Sequence, residues 1–200
     1  MFIKSAGFKK LIKEAYNHNG LRIGNDGQGI YICGGYWAIW VRKGYIPKKE
    51  LAAIIELTGE MPDEGAGFKS GKGGNQYEMP ENVFFEVMKN AEACDRCANV
   101  TTLLINTQLG VKQRVIQDPD TNRIYLINEK FIEMLDNTCI SQKDGEIEAE
   151  GPLLGPLDGI FWKNNMMALC VMRQESREKE LIAYLEGTRI TRDKEKTWNE

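Results

Sequence analysis

The 200-residue sequence holds one histidine and six prolines, and neither charge sign dominates it. A Ser-His-Asp or Cys-His relay would have to be built on His18. That residue lies in Asn17-His18-Asn19-Gly20, a helix-ending turn where a surface histidine is the default. The longest nearly apolar run, Gly29 to Val41, has thirteen residues, short of the ~20 that span a bilayer. No apolar stretch of signal-peptide length follows the basic start Met1–Lys10, so no secretion signal is expected. The five cysteines (Cys33, Cys94, Cys97, Cys139, Cys170) are odd in number and irregularly spaced. Such usage fits a reducing, cytoplasmic setting. With 26 basic and 29 acidic side chains the net charge is -3, which excludes a uniformly basic nucleic-acid coat. What remains is ordinary for a soluble globular chain: 42% hydrophobic and 28% charged residues, enough for a core without disulfides or metal.

The charge is unevenly spread. Residues 1–50 carry nine Lys/Arg against Glu14, Asp26 and Glu50, a net of +6. Residues 51–150 are acidic and the last fifty are balanced. The basic island reads either as a footprint for a polyanion or as a solvated face that pairs with the acidic middle of the chain.

Periodicity supplies the architecture. Phe8, Leu11, Ile12, Ala15 and Tyr16 form one apolar stripe of a helix from Ser5, its expected N-cap, to about Asn17. Lys9, Lys10 and Lys13 lie off that stripe. Leu21–Gly24, Gly29–Cys33 and Tyr36–Val41 read as strands, the last apolar on both faces and therefore central. Pro47 opens a helix that buries Leu51, Ile54 and Ile55 and ends at Gly59. Residues 61–80, rich in glycine, read as a mobile loop. A helix is expected over Glu81–Cys94, strands over 100–105, 111–117 and 123–127, and a helix capped by Asn128. Strands over 146–150, 159–162 and 167–172 and a helix over 176–185 complete the chain.

Few residues carry chemistry. Ser70-Gly71-Lys72-Gly73 lacks the glycine and hydroxyl of a phosphate loop and reads as a flexible segment. Cys94-Asp95-Arg96-Cys97 has metal or redox spacing without a second ligand pair, so a structural thiol is preferred. Glu146, Glu148 and Glu150 would share one strand face. They could hold a divalent cation, but such a row more often protects an edge. Asp118 and Asp120 are explained by turn chemistry. No catalytic residue, metal site or cofactor is assigned. Tyr36, Trp37, Trp40 and Tyr45 are candidate interface residues, with core packing as the alternative.

The two ends repeat each other. A shift of 130 places Gly29-Ile30-Tyr31 on Gly159-Ile160-Phe161, Ala38-Ile39 on Ala168-Leu169, Val41 on Val171 and Lys49-Glu50-Leu51 on Lys179-Glu180-Leu181. The first helices align at a different shift, Leu11 on Leu135. Each half reads β-α-β-β-β-α. Repeat one spans about 1–60, a connecting segment 61–122, repeat two 123–187 and a polar tail 188–200, all within a single domain. This plan resembles that of DNA sliding clamps, over residues 1–45 and 123–173. The resemblance rests on topology, and the segment 46–122 is longer than a simple connector. It implies an α+β fold of duplicated β-α-β-β-β units, an antiparallel sheet backed by helices.

The resemblance also implies helices that face DNA. Residues to contact phosphates would be Lys9, Lys10, Lys13, Arg22, Arg42, Lys43, Lys48 and Lys49. The second helix, with Glu129, Lys130, Glu133 and Asp136, is acidic and would not share that role. The expected function is non-catalytic binding, to DNA or to another protein, with a homo-oligomer as a further partner. A protein-interaction module without DNA is the alternative. A metal-dependent enzyme built on the glutamate row ranks below both.

Overall fold

The computed structural model describes residues 1–78, 86–107, 109–136, 138, 149–155, 158–175 and 179–193. Its elements run α1 (Ser5–Asn17), β1 (Leu21–Asn25), β2 (Gly29–Cys33), β3 (Trp37–Arg42), α2 (Lys48–Thr58), β4 (Ala66–Gly71), β5 (Gly74–Tyr77), α3 (Val87–Glu92) and β6 (Arg96–Cys97). The chain continues through β7 (Asn99–Asn106), β8 (Lys112–Gln117), β9 (Ile124–Asn128), α4 (Glu129–Glu133), β10 (Glu150–Leu154), β11 (Gly159–Asn164), β12 (Met167–Met172) and α5 (Lys179–Glu186). It is an α+β protein of antiparallel sheets backed by helices.

Nine strands form one sheet in the order β5-β4-β1-β2-β3-β12-β11-β10-β6, and β7-β8-β9 form a second. β3 lies at the centre of the larger sheet, as its two apolar faces require. Trp37, Ile39 and Val41 point into the main core, where Phe8, Leu11 and Ile12 of α1 and Ile54 of α2 cover them. The inner face of the small sheet joins that core through Ile116, Tyr125 and Ile127. Trp40 points the other way and packs with Phe161 and Ala168 under Val87 and Ala91 of α3. α5 covers the outer face of the small sheet, where Leu185 meets Val115, Ile124 and Leu126.

The strand registers obey the 130-residue shift. In the β2–β3 hairpin Gly29 pairs with Arg42, Ile30 with Val41 and Ile32 with Ile39. In the β11–β12 hairpin Gly159 pairs with Met172, Ile160 with Val171 and Trp162 with Leu169. Every one of these pairs maps on its counterpart by adding 130 to both members. The seam between the hairpins is β3 against β12, with Trp37 opposite Val171 and Val41 opposite Met167. That register is invariant when the two hairpins are exchanged, so a local two-fold passes through the pair Ile39–Leu169.

Several local expectations are corrected. Residues 61–80 do not form a loop throughout: β4 and β5 extend the sheet beyond β1. Only Phe68 of β4–β5 enters the main core, so no apolar alternation marked them. The buried residues of α2 are Glu50, Ile54 and Thr58, while Ile55 is exposed and Leu51 half-buried. A helix at the rim of a core needs only a narrow apolar stripe. Ser5 is the first helical residue and Lys4 the cap position, without a side-chain cap. Pro47, too, is the cap position rather than the first turn. Met1–Lys4 enters neither sheet; Ile3 makes an isolated antiparallel bridge to Leu135. β10 starts at Glu150, and Glu146 and Glu148 lie outside the described residues. So do Phe84, Cys139, Ser176 and most of the segment 81–86 at the head of the expected third helix. Asn128 does cap α4, accepting from the Lys130 N–H.

Candidate polyanion-binding face

α1 owes its position to its apolar stripe. Phe8, Leu11, Ile12 and Ala15 are buried, and the helix turns Lys9, Lys10 and Lys13 outward. Gly7 lets it lie close to the start of the second half: a Cβ there would come within 2.5 Å of Met134 Cβ. Glu14 is drawn into a 2.6 Å ion pair with Lys130, so the one acid of α1 is used inward. α2 packs beside α1 and begins with exposed Lys48 and Lys49. The hydroxyl of Tyr45 accepts from the Met1 amino group at 3.5 Å, which puts the starts of both helices at one end of the layer. Lysines in the first turn of a helix oppose its dipole, so helix stability does not explain Lys48 and Lys49.

The eight basic residues fall into two groups. Lys9, Lys10, Lys13, Lys48 and Lys49 belong to the helical layer. Arg22 alternates with Leu21 and Ile23, which face α1, so it lies on the opposite face of the sheet. Arg42 shares the parity of Trp40 and lies on that face too. Arg22 donates to Glu78 at 2.9 Å, and Lys43 is 3.7 Å from Glu64 with both side chains well exposed. Pairing with the acidic middle of the chain thus accounts for Arg22 and Lys43. It does not account for the five lysines of the helical layer, which have no ion-pair partner among the described residues.

The aromatic candidates also divide. Trp37 and Trp40 are core residues on opposite faces of β3, at 5% and 6% exposure. Trp40 Nε1 donates to Asp26 at 3.4 Å. Tyr45 is half-buried, and Tyr36 at 63% exposure is the member of the group with open surface. Trp37 and Trp40 are buried because both faces of β3 are covered, whereas Tyr36 and Tyr45 lie outside the strand.

Among the described residues, groups of catalytic type do not converge. His18 is exposed, and its Nδ1 donates to the Glu14 carbonyl at 2.9 Å. Cys94 lies two residues past the end of α3, short of which the expected helix stops, and donates to the Asn90 carbonyl, while Cys97 is exposed on edge strand β6. Burial pushes the Cys94 thiol up to about 11, the opposite of an activated nucleophile. Burial alone would raise the Asp118 carboxyl. Donation by the Asp120 N–H and the Thr121 N–H and hydroxyl, with Arg96 nearby, holds it below its ordinary value instead. Among the described residues no three His, Cys, Asp or Glu side chains gather as metal ligands. Glu150 lies 3.6 Å from Lys163. No helix among them is long and apolar enough to cross a membrane.

No family model matches the chain, and no curated protein matches it. Among solved structures, the beta chain of DNA polymerase III from Streptococcus pneumoniae is similar at 10% identity, over 90% of this chain and 67% of that one, with a TM-score of 0.30.

Proposed function

We propose that this chain is a non-catalytic binding protein whose helical layer contacts the phosphate backbone of DNA without reading its sequence. One observation carries the reading: Lys9, Lys10, Lys13, Lys48 and Lys49 are exposed on neighbouring helices, and no described carboxylate neutralises them. Five such cations make a binding free energy dominated by counterion release. We also infer that the two hairpin units descend from one duplicated unit, since their ladders share one register offset. Only the first copy is basic, so the DNA face is one-sided.

Fluorescence anisotropy with a labelled duplex of arbitrary sequence tests the reading. If all five lysines engage, log K falls against log salt with a slope of about -4.5. The triple variant K9Q/K10Q/K13Q should flatten that slope by about 2.7. Absence of binding at low salt, or a slope untouched by the triple variant, overturns it. A second reading rests on the edges of the large sheet, β5 and β6, beyond which no further strand pairs among the described residues. Copies joined edge to edge would sediment above 22.7 kDa; a monomer at all concentrations excludes this.

A further inference from the structure

Ser70-Gly71-Lys72-Gly73, at the turn from β4 to β5, borders a cleft. The last turn of α1 and the β4–β5 hairpin enclose about 280 Å³. Its polar lining includes His18, Asn19, Lys69, Ser70, Lys72 and Gln76, with glycines between. No carboxylate lines it. The three other cavities described for this molecule each contain at least one, Glu175 and Glu186, Glu14, or Glu14 and Glu133. In a chain with more acids than bases, a carboxylate-free cleft with two lysines is a local reversal of sign.

The groups in the cleft are held and uncommitted. Gly20, at φ +86°, has no Cβ, and one placed there would overlap the Lys69 side chain. Lys69 therefore lies across the turn that ends α1. Neither Lys69 nor Lys72 has an ion-pair partner among the described residues. Ser70 is 1% exposed and lines the cleft, and its hydroxyl has no hydrogen-bond partner among the described residues. A hydroxyl rotates to donate where an acceptor arrives. His18 Nδ1 is spent on the Glu14 carbonyl, which leaves Nε2. Gly74 needs glycine for its φ of +91°, but Gly73 has an ordinary φ and open space around it. Gly73, with Lys72 one of the two turn residues between the paired Gly71 and Gly74, has no neighbour over it, so its backbone is open to close approach. The C-terminus of α1 opposes an anion by about half a charge. Two ammonium groups outweigh it.

We propose that this cleft is a binding site for a phosphate monoester dianion. Two cations match its two charges at neutral pH, where the second phosphate ionisation is largely complete. The volume sits at the small end of ligand cavities, which run from about 300 Å³, and suits a phosphate headgroup rather than a large molecule. The same chemistry occurs in free phosphate, in a mononucleotide and at a 5′-phosphorylated strand end. The proposal does not rest on the helix lysines and stands if DNA binding fails.

The test is titration of the full chain with sodium phosphate, at ionic strength held constant with chloride, followed by backbone amide shifts. Saturable shifts confined to residues 17–20 and 69–76 are expected. The variants K69Q and K72Q should each weaken binding about tenfold, as lost charge-assisted contacts do, whereas K9Q/K10Q/K13Q should leave it unchanged. If either single variant fails to fold, the shift map of the native chain still decides. Tighter binding of AMP than of inorganic phosphate assigns a nucleotide. Preference for a 5′-phosphorylated hairpin over its unphosphorylated twin assigns a strand end. Shifts no larger than chloride gives, shifts centred on residues 9–13, or affinity unchanged in K69Q and K72Q would overturn the site.

Discussion

Ile39 of β3 pairs with Leu169 of β12, and the two residues stand 130 positions apart, the offset that maps one hairpin ladder on the other. Each is therefore the other's counterpart across a local two-fold. Both are fully buried. The seam that joins the halves is thus built from the two most interior strands, and the core runs across it without a break.

This seam should behave as one cooperative unit. Leu169→Ala is expected to cost about 2–5 kcal/mol, as does Ile39→Ala, through lost burial and a residual cavity. The two residues touch, so the double variant should depart from additivity by about 0.5–3 kcal/mol. Urea unfolding of the three variants gives the cycle. Strict additivity would mean that the halves are stabilised independently.

Gly29 and Gly159 are identical for a physical reason. Each opens the first strand of its hairpin, and each has a large side chain lying over it. A Cβ at Gly29 would overlap the Trp40 indole; one at Gly159 would meet Phe161 at 2.8 Å and Cys170 Sγ at 3.1 Å. Gly29→Ala should cost about 1–3 kcal/mol by overpacking. Gly73→Ala, in open space at an ordinary φ, should gain about 0.4–1 kcal/mol by restricting the unfolded chain. Thermal unfolding of the pair checks the opposite signs.

What the sequence revealed depended on how much core each segment touches. β3 is apolar on both faces, and its central place was legible from that alone. The hairpin offset of 130 was legible because it preserves Gly29/Gly159 and the apolar residues beside them. β4 and β5 were illegible: they lie at an edge, and Phe68 is the one side chain between them in the main core. The lysines of α1 could be read as outward by elimination from the stripe. Which basic residues were already paired could not, because Glu78 and Glu64 reach Arg22 and Lys43 from a segment whose fold was missed. The cleft left one sequence signal. Residues 65–77 contain no acid although they lie in the acidic part of the chain.

Arg114 and Glu129 form a buried, two-pronged ion pair, with Arg114 also donating to the Thr101 carbonyl at 2.9 Å. The hydrogen bond to Glu129 holds the guanidinium above its ordinary value, and the nearby Glu129 and Asp193 charges add to that. Glu129→Ala would leave the buried guanidinium with only Asp193, 3.7 Å away, as its carboxylate partner, at about 3–5 kcal/mol. The double variant R114M/E129L removes both charges and should cost far less. Denaturant midpoints of the two proteins compare these costs, and equal losses would show that geometry rather than charge burial sets the penalty.

Two thiols, the buried Cys33 and the half-buried Cys170, give the protein an alkaline limit. Burial pushes Cys33 up to about 11 and Cys170 up to about 12, with the Cys94 and Cys33 thiols adding to the latter. In the unfolded chain both ionise near 9.0. Above that pH the unfolded state releases protons that the folded state retains, so stability falls as pH rises. The contribution is complete below about pH 9 and is lost progressively toward 11 and 12, at up to about 1.4 kcal/mol per pH unit for each thiol. Tyr31, raised to about 12 by burial and by Asp26, acts in the same direction, so the comparison must be between variants. C33A/C170A should lose stability less steeply between pH 9 and 11 than the native chain, whatever its stability at pH 7. Ellman's reagent at pH 8 gives a second reading: Cys97, exposed on β6, should react in the folded protein, and Cys33 only on unfolding. Parallel alkaline slopes in the two proteins, or prompt reaction at Cys33, would show that these thiols are not shielded as their packing requires.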